Sequence, residues 1–365
     1  MRVLGIMSGT SLDGVDFGLC QVARGRIELL ELWSRSFPAG LQRRLRNAAA
    51  DAASSHELAQ LHHDLGRFYA RHAGGGKQAP ELIGLHGQTV FHKPSKTRPA
   101  SLQIGEPAHL CEAMRCPVVS NFRAGDLAAG GQGAPLATAF HSVAFALPGK
   151  SVAVNNLGGI SNVSWFPTQA RRQVDAATLS FDTGPGSMLI DQAMRMLTKR
   201  RMDRNGRYAA RGRVNDAVLS RWLRHPFFRA KPPKSTGREV FGEVFLERAL
   251  RELKGESTED IVATLTELTA RSVALNYERY LGRRPDRVVL CGGGAANRTL
   301  VARIRALLGD ETELLTSADL GWPLQAVEPA AFAWLAWLRW KRKSWPHPAT
   351  TGAKRAALLG QVTEP

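Results

Sequence analysis

Three short segments hold the residue types that could handle a phosphorylated nucleotide. They are Gly9-Thr10-Ser11-Leu12-Asp13-Gly14-Val15-Asp16, Asp182-Thr183-Gly184-Pro185-Gly186-Ser187 and Gly292-Gly293-Gly294-Ala295-Ala296-Asn297. Glycine lets a backbone approach a ligand closely, and successive N–H groups can form a nest for an anion. Hydroxyls add donors for phosphate oxygens, and aspartate supplies a hard oxygen ligand for Mg²⁺, directly or through water. One glycine-rich turn is usually only a hairpin. Three in one chain, two of them carrying Asp beside Gly and Thr, point to nucleotide chemistry. Neither G-x-x-x-x-G-K-[ST] nor G-x-G-x-x-G occurs, which argues against a P-loop and a Rossmann dinucleotide site.

Each turn follows a short apolar run: Val3-Leu4-Gly5-Ile6-Met7, Leu179-Ser180-Phe181 and Val288-Val289-Leu290-Cys291. These read as strands, the first forming a hairpin with the apolar stretch from Val15 to Val22. Two more strands run into polar turns, Leu82–Leu85 into His86-Gly87-Gln88-Thr89 and Ser151–Val154 into Asn155-Asn156-Leu157-Gly158-Gly159. Leu58, Leu61, Leu65 and Phe68 mark the core-facing stripe of a helix. Further helices are predicted from about Met188, over 243–253 and over 259–281, the last behind the cap residues Ser257-Thr258. An apolar helix over 330–340 carries Trp334, Trp337 and Trp340 as packing or interface residues, and a polar tail follows. Strands and helices alternate, so the fold class is α/β.

The chain is long enough, at 365 residues, for about two domains. With 44% hydrophobic and 22% charged residues it is neither a disordered nor a fibrous chain. The net charge of +17 invites a nucleic-acid reading, but +12 of it falls between Arg195 and Arg238. So local an excess reads as a solvated face, and no nucleic-acid motif accompanies it. Four scattered cysteines exclude a disulfide framework and fit a reducing cytoplasm. No stretch reads as a membrane span, and Asp13 and Asp16 break any signal-peptide core.

Those turns resemble the two phosphate motifs and the adenosine motif of the actin/hexokinase/Hsp70 ATPase superfamily. A narrower likeness runs in order along nearly the whole chain. Gly5–Asp16, His86–Thr89, Leu102–Gly105, Ala128–Leu136, Asn156–Asn162, Phe181–Gly186 and Phe332–Ala336 are similar to segments of the anhydro-N-acetylmuramic acid kinases. The resemblance implies a two-domain actin/hexokinase-like (ribonuclease H-like) fold with an interdomain ATP cleft. Domain I would be residues 1–135 with 330–365, and domain II residues 136–329. It also implies a cytoplasmic homodimer of cell-wall recycling that uses ATP and Mg²⁺ on a small sugar, with no nucleic-acid or membrane partner.

By the same likeness Asp182 is the general base for water attacking C1 of the sugar. The Gly9–Asp16 turn, including Thr10, Ser11, Leu12, Gly14 and Val15, holds the ATP phosphates with Gly184. Gly292, Gly293, Gly294 and Asn297 take the adenosine, and Asp13 and Asp16 serve Mg²⁺ through water. His86, Gln103, Arg123 and Glu328 line the sugar site, Arg123 as a bidentate partner for the lactyl carboxylate. Plainer roles stay open: a turn residue for Asp182, a hydrogen-bonded structural histidine for His86, a helix N-terminal acid for Glu328. Asn121 stands where the family usually has Asp, and residues 321–329 are untypical of it. Two rivals remain, another sugar or carboxylate kinase of the superfamily, and a non-catalytic nucleotide-gated or nucleic-acid-binding protein.

Overall fold

The computed structural model describes residues 1–9, 11–93, 98–168, 178–345 and 347–365; Thr10 lies outside them. The described strands are β1 (Arg2–Ser8), β2 (Gly14–Ala23), β3 (Arg26–Ser36), β4 (Leu82–Lys93), β5 (Ala100–Ile104), β6 (Val118–Ser120), β7 (Val152–Leu157), β8 (Ile160–Phe166), β9 (Leu179–Pro185), β10 (Arg287–Cys291), β11 (Glu313–Thr316) and β12 (Gln361–Thr363). The chain divides into two compact units, residues 1–144 with 325–365, and residues 145–324.

One sheet has the order β12-β6-β4-β1-β2-β3, with β5 added to β4; the other has β11-β10-β7-β8-β9. In the first, β1 is antiparallel to β2 and parallel to β4, and β2 is antiparallel to β3. In the second, β7 is antiparallel to β8 and parallel to β10, and β8 is antiparallel to β9. The mixed α/β order 3-2-1-4-5 is thus written twice in one chain. Central strands covered on both faces need continuous apolar runs. Val3, Leu4 and Ile6 of β1, Val152 to Val154 of β7 and Val288 to Cys291 of β10 are accordingly all buried.

The helix Val327–Trp340 packs on β1, β2 and β4. It begins three residues before the predicted 330, with Pro329 inside its first turn, where a missing N–H removes no helical bond. Gly18, Gly5 and Gly84 are register neighbours across β2, β1 and β4. A Cβ on Gly5 would overlap the Pro329 carbonyl, and one on Gly84 would overlap the Phe332 carbonyl. The glycines are therefore a trough in which helix backbone lies directly on Gly5 and Gly84, and the Pro329 ring lies over Gly18. Ala330, Ala333 and Ala336 keep the buried face of the helix small enough to enter it.

The expected polar tail proves to be structured. Trp345 is buried, and β12 returns antiparallel to β6, because its hydrogen bonds complete an otherwise open sheet edge. Trp334 and Trp337 are buried and stacked at 4.9 Å, a packing role. The four cysteines are free and buried. Most of the basic segment lies at the surface, where Arg211 and Arg200 sit over Tyr208. Lys234 departs from that expectation and is buried. No helix of the described residues is long and apolar enough to cross a membrane.

Gly5→Ala should destabilise the fold by about 3 kcal/mol or more, since neither backbone in the trough can yield. Gly40→Ala, in a helix with open space around the added methyl, should instead be neutral or stabilising. Urea denaturation of the two variants checks this, and equal midpoints would disprove the trough.

Candidate active site

Between β1 and β2 the chain turns within five residues, closed by Leu12 N–H donating to the Gly9 carbonyl. Leu12 adopts φ 59° and Val15 follows two residues after Asp13; both side chains are buried, so apolar anchors hold the turn down. What these two residues offer a ligand is backbone. Buried Gln88 donates to the Gly9 carbonyl at 3.0 Å, and Gln42 donates to that of Leu12 at 2.9 Å. A Cβ on Gly9 would meet little, so the space beside its half-buried backbone is open for approach, whereas one on Gly14 would come within 2.6 Å of the Arg35 carbonyl oxygen.

Ser11 Oγ donates to Asp13 at 2.6 Å, and Ser34 Oγ donates to Asp16. Burial raises the Asp16 carboxyl and the neighbouring charge of Asp13 adds to it, against the Ser34 hydrogen bond. Two carboxylates that repel across one turn suit a divalent cation. No cluster of three or more His, Cys, Asp or Glu side chains among the described residues could form an all-protein cage. Two carboxylates with hydroxyl neighbours are a donor set that fits Mg²⁺, an ion that keeps several waters and shares its ligation with phosphates.

The four sugar-site candidates fall together in the first unit. His86 and Gln103 line a cavity of about 430 Å³, with Gly87, Glu106, Asn121 and Gln361. Arg123 donates to His86 Nε2 at 2.9 Å and to the Gly133 carbonyl at 2.6 Å. His86 Nδ1 donates to the Gly87 carbonyl at 2.7 Å, which fixes the ring as the neutral Nδ1–H tautomer. Burial first, then the Arg123 charge, holds that imidazole well below the usual histidine range. Burial likewise lowers Arg123 to about 10, against the charges of Glu328 and Asp126. Phe332, one turn beyond Glu328, lies 4.4 Å from the His86 ring.

Asp126, by contrast, is internal bracing. Its carboxylate accepts from Gly133 N–H at 2.7 Å and from Thr351 Oγ at 2.6 Å. Asn121 precedes the helix Phe122–Ala128 with φ 53°, a left-handed conformation that Asn and Asp both tolerate, and its side chain makes no capping bond. Its amide donates to Gln361 of β12 at 3.3 Å. β12 thus supplies part of the cavity wall, a contribution the apparent polarity of the tail concealed.

In the second unit Asp182 lies on β9, the outer strand of its sheet. Its N–H donates to the Lys234 carbonyl at 3.1 Å, and its carboxylate accepts from Thr236 N–H at 2.8 Å. Burial pushes the carboxyl up to about 7, with Glu239 adding to the rise and the Thr236 bond and Lys234 opposing it. The Thr236 hydroxyl is buried and has no hydrogen-bond partner among the described residues. A polar atom so placed would be satisfied by a substrate water. Lys234, Thr236 and Glu239 were not singled out from sequence, where Lys234 was one more cation in a basic run. Pro232-Pro233-Lys234-Ser235-Thr236-Gly237, a stiff stretch ending in hydroxyls and glycine, was the available signal.

By topology the counterpart of the β1–β2 turn is the β7–β8 turn, Gly158-Gly159. The segment after Asp182 packs on it, with Gly186 N–H donating to Gly159 and Ser187 N–H to Gly158 at 2.9 and 2.8 Å. Gly184, at φ 136°, has no room for a side chain beside Phe228 and Ser272. Of the third turn, Gly293 has open space, while Gly292 and Gly294 abut Asn156 and Leu157. Asn297 caps the helix Arg298–Leu308, its Oδ1 accepting from Leu300 N–H. Buried Glu267 of the helix Thr258–Tyr280 accepts from Arg303 at 2.6 and 2.9 Å and from Arg271 at 2.8 Å, which ties these helices together behind the turn.

With that geometry in place, the profile of the anhydro-N-acetylmuramic acid kinase family matches residues 1–365. Anhydro-N-acetylmuramic acid kinase of Bacillus thuringiensis subsp. konkukian (strain 97-27) is 38% identical over 383 residues, covering 100% of both chains. Its namesake from Picosynechococcus sp. (strain ATCC 27264 / PCC 7002 / PR-6) is 39% identical, covering 99% of each. Among solved structures, the activator of the 2-hydroxyisocaproyl-CoA dehydratase from Clostridium difficile with bound ADPNP aligns at TM-score 0.46 and 13% identity, over 94% of this chain and 96% of that one. The protein is a kinase. The chain belongs to the anhydro-N-acetylmuramic acid kinase family.

Mg-ADP should raise the melting temperature, since a ligand binding only the folded state stabilises it by mass action. Gly9→Val should abolish that shift while leaving the unliganded melting temperature near the parental value. A Gly9→Val protein that responds to Mg-ADP like the parent would remove the phosphates from this turn.

Proposed function

We propose that the protein adds water across the 1,6-anhydro bond of anhydro-N-acetylmuramic acid and phosphorylates O6 from ATP, giving N-acetylmuramate 6-phosphate and ADP. The observation that carries this reading is the Asp182 carboxyl, raised by burial to about 7, beside the buried Thr236 hydroxyl, which has no partner among the described residues. A general base works best when its pKa lies near the working pH. In its ionised form Asp182 takes a proton from the water that adds to C1. The C1–O6 bond breaks, O6 attacks the γ-phosphorus, and ADP departs. Because O6 gains phosphorus as it loses carbon, no separate general acid is required.

His86 and Gln103 face the sugar, and Arg123 with Glu328 sets the charge behind them. The Arg123 cation reaches the cavity only by way of His86, so it draws the lactyl carboxylate toward that wall by charge and not as the bidentate partner expected from sequence. Backbone of the Gly9–Asp16 turn, with Gly158, Gly159 and Gly184, takes the phosphates, and Gly292 to Gly294 with Asn297 takes the adenosine. Asp13 and Asp16 would hold Mg²⁺ through its water, and the bound ion would supply charge neutralisation for the phosphates. The enzyme acts as a cytoplasmic homodimer.

Asp182→Asn should lower turnover by on the order of 10³ or more while calorimetry still registers both ATP and the sugar. Near-normal formation of phosphosugar by mass spectrometry would overturn the mechanism, and loss of ATP binding would move Asp182 to the metal site. Since the carboxyl is neutral below about 7 and only the anion accepts a proton, kcat/KM of the parent should rise with pH through about 7.

A further inference from the structure

Lys234 is the one member of the basic segment found buried, and its surroundings are unlike those of a surface cation. Its ammonium lies 4.4 Å from the centre of the Tyr280 ring, 4.7 Å from that of Phe227 and 5.8 Å from that of Phe181. It donates to the Phe227 carbonyl at 3.3 Å. The Tyr280 hydroxyl donates to the Phe228 carbonyl at 3.0 Å, as does Arg279 at 3.1 Å. Three rings and a carbonyl thus enclose the ammonium, and cation–π attraction offsets part of the cost of taking it out of water.

The same residue's backbone meets the proposed base. The Lys234 carbonyl accepts from Asp182 N–H, and two residues later Thr236 N–H donates to the Asp182 carboxylate. The loop therefore occupies the free edge of β9 and brackets Asp182 at both its main chain and its side chain. We propose that Lys234 is a positioning residue for Asp182: its caged ammonium pins this loop and supplies the positive charge that offsets Glu239. The inference rests on Asp182 being the base.

Groups facing Asp182 are the Thr236 amide, Lys234 and Glu239; those facing Lys234 are Asp182 and Arg279. Burial, then Arg279, lowers the Lys234 ammonium to about 8, against the pull of Asp182. Proton loss there would remove the charge and slacken the loop, so activity should fall again on the alkaline side.

The test is the pH profile of kcat/KM for the parent, Lys234→Met and Lys234→Arg. Methionine preserves length and contact with the rings but carries no charge. In Lys234→Met the acid limb should move to higher pH, with kcat/KM at pH 7 lower by on the order of tenfold. In Lys234→Arg, which stays charged throughout, the alkaline fall near pH 8 should disappear. A purely structural lysine would change the height of these profiles and not the position of their limbs. An acid limb of Lys234→Met at the parental pH, or an alkaline fall that persists in Lys234→Arg, overturns the proposal. If Lys234→Met fails to fold, Lys234→Arg decides alone. Asp182→Asn measured alongside separates the two failures, because turnover there overturns the base itself, whereas an inactive Asp182→Asn with unmoved limbs overturns only the role of Lys234.

Discussion

Backbone lying on backbone at Gly5 and Gly84, with the Pro329 ring over Gly18, sets the geometry of the first unit. Side chains packed on side chains can exchange rotamers and shift, but a carbonyl seated over a glycine has one depth. Pro329 and Phe332 are held by their own carbonyls, so the residues around them inherit fixed positions. Phe332 is brought under His86, and Glu328 is brought within electrostatic reach of Arg123. Arg123 then orients the His86 ring from one side while the Gly87 carbonyl holds it from the other. One wall of the cavity lined by His86 and Gln103 is thus the last link in a chain that starts with three missing side chains.

The second unit repeats the sheet order but is held at its site by polar ties. β9 has a neighbour on only one side, and its Asp182 amide would be unpaired without the Lys234 carbonyl. Glu267 plays the matching part behind the glycine turn, where two guanidinium groups keep a buried carboxylate ionised. Burial pushes Glu267 up and the bonds to Arg303 and Arg271 more than reverse it, so its net shift is downward. Asp182 has one amide and one shielded ammonium instead, and burial prevails. Two acids in one unit are therefore shifted in opposite directions, according to the number of partners each is given.

Strands whose residues are apolar on both faces, such as β1, β7 and β10, were legible from sequence because full burial leaves a continuous apolar run. The cap at Ser257 and the helix from Met188 were legible for similarly local reasons. β12 was not, since three residues gain strand structure only from the edge of β6 they complete. Of the candidate site, His86, Gln103, Arg123 and Glu328 were all named, but not that Arg123 reaches the cavity by way of His86. Lys234 escaped because its burial depends on Phe181, Phe227 and Tyr280, which come from three separate elements. A charge run read along the chain cannot reveal which of its members folds inward.

The glycine trough also orders the protein's assembly in time. β1 leaves the ribosome before residues 145–324, yet the helix that fills its trough follows the whole of them. The second unit has all its strands and its own apolar clusters in one continuous stretch, so it can fold while synthesis continues. The first unit cannot. Until residues 327–340 emerge, its central strands present a bare, apolar, glycine-lined face to solvent, the kind of surface that chaperones shield and that nascent chains misuse. The half of the molecule that begins first is the half that finishes last.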